Sequence, residues 1–218
     1  MKSPWRSPLY AILNLPHAGG LSLVRAGRGL LNGGCGVLQL RSKAGFDGVE
    51  DDELLELGRL ASKKGVPLIV NDDAALARRL ADELGDEAVG LHLGQEDFVA
   101  YGETPAAEPP GYWGLSTHNL DQVGRTGRGS MTYLGFGPVF ATASKANAEA
   151  VVGLETLQSA CYSSLHPVVA IGGVNAERGT ECLEAGAVAV ACISALIADS
   201  AIRIEAKCGE VLSTLMMR

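Results

Sequence analysis

VPLIVNDDAALARRLADELGDEAVGLHLGQED, residues 66–97, contains two apolar runs separated by a helical stretch, and each run ends in acids. Residues 66–72 and 88–94 are short, rich in Val, Leu and Ile, and bounded by polar or glycine residues, which predicts strands. Between them Leu76, Leu80 and Leu84 recur every four residues, so they stack on one face of a helix over Ala74–Leu84. A strand, a helix and a strand in about 30 residues form a crossover unit, whose strands lie parallel in one sheet.

The same alternation runs through the chain. Further strand candidates are LYAILNL (9–15), GVLQLRS (36–42), YWGLSTH (112–118), MTYLGFG (131–137), PVVAIGG (167–173) and AVAVACIS (187–194). A helix over Glu53–Lys63 carries Leu54, Leu55, Leu60 and Ala61 as its stripe with Leu57 at the margin, while Glu50–Glu53 and Glu56 form its solvated face. Eight units average about 27 residues each over 218, which predicts an α/β fold, a (β/α)8 TIM barrel in one catalytic domain spanning 1–218. The alternative, an open doubly wound sheet, lacks its fingerprint, because the first strand runs into Pro16-His17-Ala18-Gly19-Gly20 and not GxGxxG. The segment Asn119–Arg128 contains two glycines and predicts a poor helix, and ETPAAEPP (103–110) predicts a surface loop.

Composition narrows the function classes. With 47% hydrophobic and 20% charged residues the chain can bury a large core without covalent staples. A net charge of -7 with no run of Lys or Arg argues against nucleic acid as a partner. No stretch of about 18 apolar residues is present, so a membrane partner is not expected. The cations of MKSPWRSPLYAILNLP precede an apolar run that Pro16 closes early, so it reads as the first strand and not a leader. Five scattered cysteines without CxxC pairs read as buried, reduced thiols, and hence a cytoplasmic protein.

In a barrel, chemistry sits where strands end and the following loops begin. On the second strand Gln39, Arg41 and Lys43 are spaced by two, so the pleat sends them to one face, where buried cations demand an anionic partner. The third strand ends in Asn71-Asp72-Asp73 and the fourth continues into Gln95-Glu96-Asp97. Adjacent strands lie about 4.8 Å apart, so carboxylates at one rim can share a cation of the magnesium type. One acid of the Asp72-Asp73 pair is expected to cap the following helix. Ser116 and His118 follow the fifth strand. The exit YLGFGPVFATASK (133–145) offers Thr142, Ala143, Ser144 and Lys145, while Gly172-Gly173 and Ile193-Ser194, with Ser194 expected to open the eighth helix, follow the last two strands, where barrels hold phosphate. His92 and His118 read as hydrogen-bonded histidines and not as an acid/base pair. The rim therefore suits two anionic substrates, a diphosphate with its metal and a phosphate.

The pieces QLRSK (39–43), IVNDD (69–73), HLGQED (92–97), GLSTHN (114–119), GFGPVFATASK (135–145), VGLETL (152–157), VAIGGV (169–174) and ISAL (193–196) resemble, in order, the thiamine-phosphate synthase family, which includes thiazole tautomerase relatives. The resemblance implies a transferase that joins hydroxymethylpyrimidine diphosphate to a thiazole phosphate, giving thiamine phosphate and pyrophosphate. It implies that Gln39, Arg41, Lys43 and Asn71 bind the pyrimidine diphosphate. Asp72 and Asp97 would hold Mg2+, Ser116 and Lys145 would complete the diphosphate site, and Arg41, Lys43, Ser116 and Lys145 would carry catalysis. Thr142, Ala143, Ser144, Gly173, Ile193 and Ser194 would surround the thiazole phosphate. The chain departs from the family pattern at Ser42, where an acid is usual, and at Ala143 in the Thr142–Lys145 loop. The competing readings are a thiazole phosphate tautomerase and a non-catalytic phosphorylated-ligand binder. A homo-oligomer is compatible with either.

Overall fold

The computed structural model describes residues 5–101, 110–127, 131–142 and 150–217. Eight parallel strands close into a barrel in chain order: β1 (Leu9–Leu15), β2 (Val37–Ser42), β3 (Leu68–Asn71), β4 (Val89–Leu93), β5 (Tyr112–Thr117), β6 (Tyr133–Phe136), β7 (Val168–Ile171) and β8 (Ala189–Cys192). The last strand returns to the first, with Leu9 opposite Val190 and Ala11 opposite Cys192. The intervening helices are α1 (Leu23–Asn32), α2 (Asp51–Lys63), α3 (Ala74–Leu84), α4 (Gln95–Tyr101), α5 (Leu120–Arg125), α6 (Gly153–Ser163), α7 (Ala176–Glu184) and α8 (Ala201–Met216). The architecture is the expected (β/α)8 barrel.

The period-two pleat divides the strand side chains between two cores. Leu9, Ala11, Leu13, Leu38 and Leu40 pack against the helices with Leu30, Leu54 and Leu57. Tyr10, Ile12, Val37, Ile69, Tyr133 and Val169 form a second cluster inside the barrel, together with Trp5, whose ring meets Tyr10 and Tyr133 edge-on. Both sides of every strand are thus covered, which is why the strands read as nearly continuous apolar runs. Gly114 on β5 belongs to this inner face. A Cβ there would lie 2.1 Å from Tyr133 Cζ and 2.5 Å from His92 Nδ1, so the glycine leaves the space those rings occupy.

Several expectations are refined. Leu57 lies at the centre of the α2 stripe, fully buried with Leu54 and Ala61, while Leu55 and Leu60 are only partly covered. β2 ends at Ser42, one residue short of Lys43, which is exposed. The poor helix expected over Asn119–Arg128 is six residues long: Asn119 caps it by accepting from Gln122 N–H, and Gly127 at φ 55 turns the chain away. Ser194 does not open the eighth helix. It opens a separate turn, Ser194–Leu196, and Ser200 caps α8. Most of the 103–110 loop lies outside the described residues. Among the described residues no helix is long and apolar enough to cross a membrane. The five cysteines are free, four of them buried and Cys161 half-buried.

Candidate active site

A cavity of about 200 Å³ opens at the C-terminal ends of the strands. Of the residues expected from the sequence, Gln39, Arg41, Asn71, Asp72, Asp97, Ser116, Thr142, Gly173, Ile193 and Ser194 all line it. Lys43 does not. Because the strand has ended, it lines an adjoining groove beside β1, which it shares with Arg41 and His17. Ala143, Ser144 and Lys145 lie outside the described residues.

Register explains the convergence. Gln39 stands opposite Ile12 and Ile69, Asn71 opposite His92, and Ser116 opposite Gly135, so alternate residues of successive strands reach the same interior. Arg41, the next inward position on β2 after Gln39, is directed to the rim and donates to Asn14 Oδ1 at 3.4 Å.

The two adjacent acids after β3 have separate tasks. The Asp73 carboxylate accepts from Leu76 N–H at 2.8 Å and caps α3. Asp72 takes a left-handed backbone, φ 66, uncommon without glycine, and its N–H donates to the His92 carbonyl at 2.9 Å. This turn sends its carboxylate across the rim, where it accepts from Asn71 Nδ2 and from Gly94 N–H. Burial and then the neighbouring Asp97 carboxylate, by charge and by direct contact, push the Asp72 carboxyl above its usual range, with Gly94 N–H and Arg41 opposing. Two carboxylates facing each other at the rim suit a hard divalent cation, whose charge would turn their repulsion into attraction. Among the described residues no cluster of three or more His, Cys, Asp or Glu side chains could hold a metal, so such an ion would take its other oxygens from water or substrate.

On the opposite side, the exits of β6 and β7 remain paired beyond the strands, with Val139 N–H on the Ile171 carbonyl and Phe140 N–H on Gly172. Gly172 and Gly173 both have positive φ, 99 and 63, and a Cβ on Gly173 would lie 2.5 Å from the Ala141 carbonyl oxygen. Only glycine permits this approach. Arg178 secures the pair from outside, donating to the Gly173 carbonyl at 2.8 Å while its guanidinium covers the Phe140 ring at 4.8 Å. The result is a backbone-rich rim beside Ser194.

Both histidines are hydrogen-bonded, as expected, yet both line the cavity. His118 Nδ1 donates to the Gly137 carbonyl at 2.6 Å, which leaves Nε2 an acceptor. His92 lies between the Tyr133 hydroxyl and Ser116 Oγ, each at 2.9 Å. Sequence reasoning missed Tyr10 and Tyr133, which also line the cavity. Their signal was present: hydroxyl-bearing rings at the inward positions of otherwise aliphatic strands need partners when buried.

The comparisons point one way. A sequence model described as thiamine monophosphate synthase matches residues 9–196. The thiamine-phosphate synthase of Coprothermobacter proteolyticus is 35% identical over 199 residues, covering 91% of each chain. That of Chloroflexus aurantiacus is 36% identical, covering 89% of this chain and 86% of its own. Among solved structures, thiamine phosphate pyrophosphorylase from Pyrococcus furiosus superposes with a TM-score of 0.68 at 27% identity, covering 95% of this chain and 96% of its own. Mycobacterium tuberculosis tryptophan synthase also reaches 0.68 but at 15% identity, a likeness of fold alone.

Proposed function

The chain belongs to the thiamine monophosphate synthase family, and we propose that it joins hydroxymethylpyrimidine diphosphate to a thiazole phosphate, forming thiamine phosphate and pyrophosphate. The observation that carries this reading is one cavity with two unlike polar rims, each suited to an anion. Arg41 and the Asp72–Asp97 pair stand on one side, and the Gly173–Ser194 rim stands on the other.

In this reading the bond between the pyrimidine methylene carbon and the diphosphate oxygen breaks, and its electron pair leaves with pyrophosphate. The thiazole nitrogen lone pair then forms the new carbon–nitrogen bond. Asp72 and Asp97 would hold a magnesium ion, which supplies Lewis-acid neutralisation of the leaving group's charge. Arg41 adds a fixed guanidinium at the same rim, and Lys43 stands behind it in the adjoining groove. Lys145 is assigned the same role on family grounds. Gln39 orients the pyrimidine through its amide. Gly173, Ile193 and Ser194, with Thr142, seat the thiazole phosphate beside the reacting carbon, which contributes proximity, and Ala143 and Ser144 are assigned to the same group on family grounds. No protein nucleophile is needed. The four buried or half-buried thiols other than Cys35 have pKa values pushed by burial to about 11 for Cys161 and about 12 for Cys182, Cys192 and Cys208, which suits inert groups.

One observation favours a second reading. His118 faces the cavity with an acceptor nitrogen and could move a proton, as a thiazole phosphate tautomerase requires. Incubation with the thiazole phosphate alone, and then with pyrimidine diphosphate and magnesium added, separates the two. The synthase reading expects thiamine phosphate only in the complete mixture. Isomerisation of the thiazole phosphate alone, with no thiamine phosphate from the complete mixture, would instead establish the tautomerase.

A further inference from the structure

Five polar side chains from five strands form a continuous chain along the cavity floor. Gln39 Nε2 donates to the Tyr10 hydroxyl at 2.9 Å, and the Tyr10 and Tyr133 hydroxyls meet at 2.7 Å. The Tyr133 hydroxyl then reaches His92 Nδ1 at 2.9 Å, and His92 Nε2 reaches Ser116 Oγ at 2.9 Å. The first four residues are buried, none more than 8% exposed, whereas Ser116 is half-buried and lines the cavity.

Such a chain has a direction, because each hydroxyl has one hydrogen and a neutral imidazole has one. The amide nitrogen of Gln39 can only donate, so the Tyr10 oxygen accepts, and because Tyr133 is the one acceptor that the described residues give its buried hydrogen, that hydrogen goes to Tyr133. The Tyr133 hydrogen goes to His92 Nδ1, and His92 therefore carries its own hydrogen on Nε2 and donates to Ser116. Ser116 keeps its hydroxyl hydrogen, for which the described residues offer no other side-chain partner. The opposite direction would commit that hydrogen to His92 and show the cavity only lone pairs, which repel an anion. Burial also pushes both tyrosines well above their ordinary values, so neither ionises to break the chain.

We propose that His92 is a positioning residue: set as the Nε2–H tautomer through Tyr133, it makes the Ser116 hydroxyl a committed donor to the departing diphosphate. This rests on the synthase reading for the identity of the anion. The direction of the chain does not.

The test therefore has two independent readouts. In wild-type protein labelled with 15N-histidine, at a pH where the spectrum shows one of its two ring nitrogens bare, the His92 nitrogens report the tautomer directly. A protonated Nε2 and a bare Nδ1 support the proposal. A protonated Nδ1 overturns it, whatever the activity. In the synthase assay Tyr133→Phe should lower kcat about tenfold, the scale of one lost hydrogen bond, with both KM values unchanged. His92→Gln, whose amide N–H can stand where Nε2–H stood, should recover most of the rate lost in the shorter His92→Asn. Tyr133→Phe added to Ser116→Ala should cost nothing beyond Ser116→Ala alone. Equal losses in His92→Gln and His92→Asn, with both variants folded by thermal melting, overturn the proposal, as does full additivity. If wild-type protein forms no thiamine phosphate, the synthase reading fails, and the tautomer measurement still decides the direction of the chain.

Discussion

Asp72 and Asp73 are chemically identical neighbours with different tasks, and substitution separates them. Asp73 spends its carboxylate on Leu76 N–H, so Asp73→Ala should cost about 1 kcal/mol of stability, the usual value of a helix cap, and leave kcat near wild type. Denaturant midpoints together with the synthase assay check both halves. Asp72 and Asp97 instead face each other across the rim, and Asp72→Asn or Asp97→Asn should remove most turnover with little change in the midpoint. Wild-type rates for both variants at limiting magnesium would show that neither acid holds a metal. The sequence placed an acid pair at this rim, but it left the cap between Asp72 and Asp73. The choice depends on a single backbone angle, φ 66 at Asp72, which local composition does not encode.

Element by element, the apolar runs located all eight strands to within a residue or two, because strands buried on both faces announce themselves by composition. What they could not convey was the contact between strands distant in sequence. Tyr10 and Tyr133 are 123 residues apart and touch only because the barrel closes. Lys43 illustrates the opposite error: period-two spacing extended the inward face beyond Ser42, where the strand had already ended. β5 contributes through an absence of side chain. Gly114→Ala would place a methyl group inside the Tyr133 ring and against His92, so a loss of about 1–3 kcal/mol is expected, as for other overpacked cores. Chemical denaturation measures it, and an unchanged midpoint would mean that the rings have room to move.

For the whole molecule, barrel closure gathers residues from every strand to one rim and also buries the thiols. Cys182, Cys192 and Cys208 are raised from an ordinary value of 9.0 to about 12 by burial, and Cys161 to about 11. A thiol raised in the folded state holds its proton after the unfolded chain has lost it. The stability this contributes is complete below about pH 9 and falls as pH rises toward about 12. Unfolding free energy should therefore decline above pH 9, and the decline should shrink in Cys192→Ser once its own cost at neutral pH is subtracted. An identical alkaline slope in that variant would assign the loss to other groups. The central claim is that one cavity brings a diphosphate and a phosphate together and expels pyrophosphate. The most direct test is to quantify pyrophosphate and thiamine phosphate in the same reaction, before and after chelation with EDTA. The account predicts one pyrophosphate per thiamine phosphate, loss of both in EDTA and recovery of both with added magnesium. Product formed without pyrophosphate, or at an undiminished rate in the chelator, would contradict it.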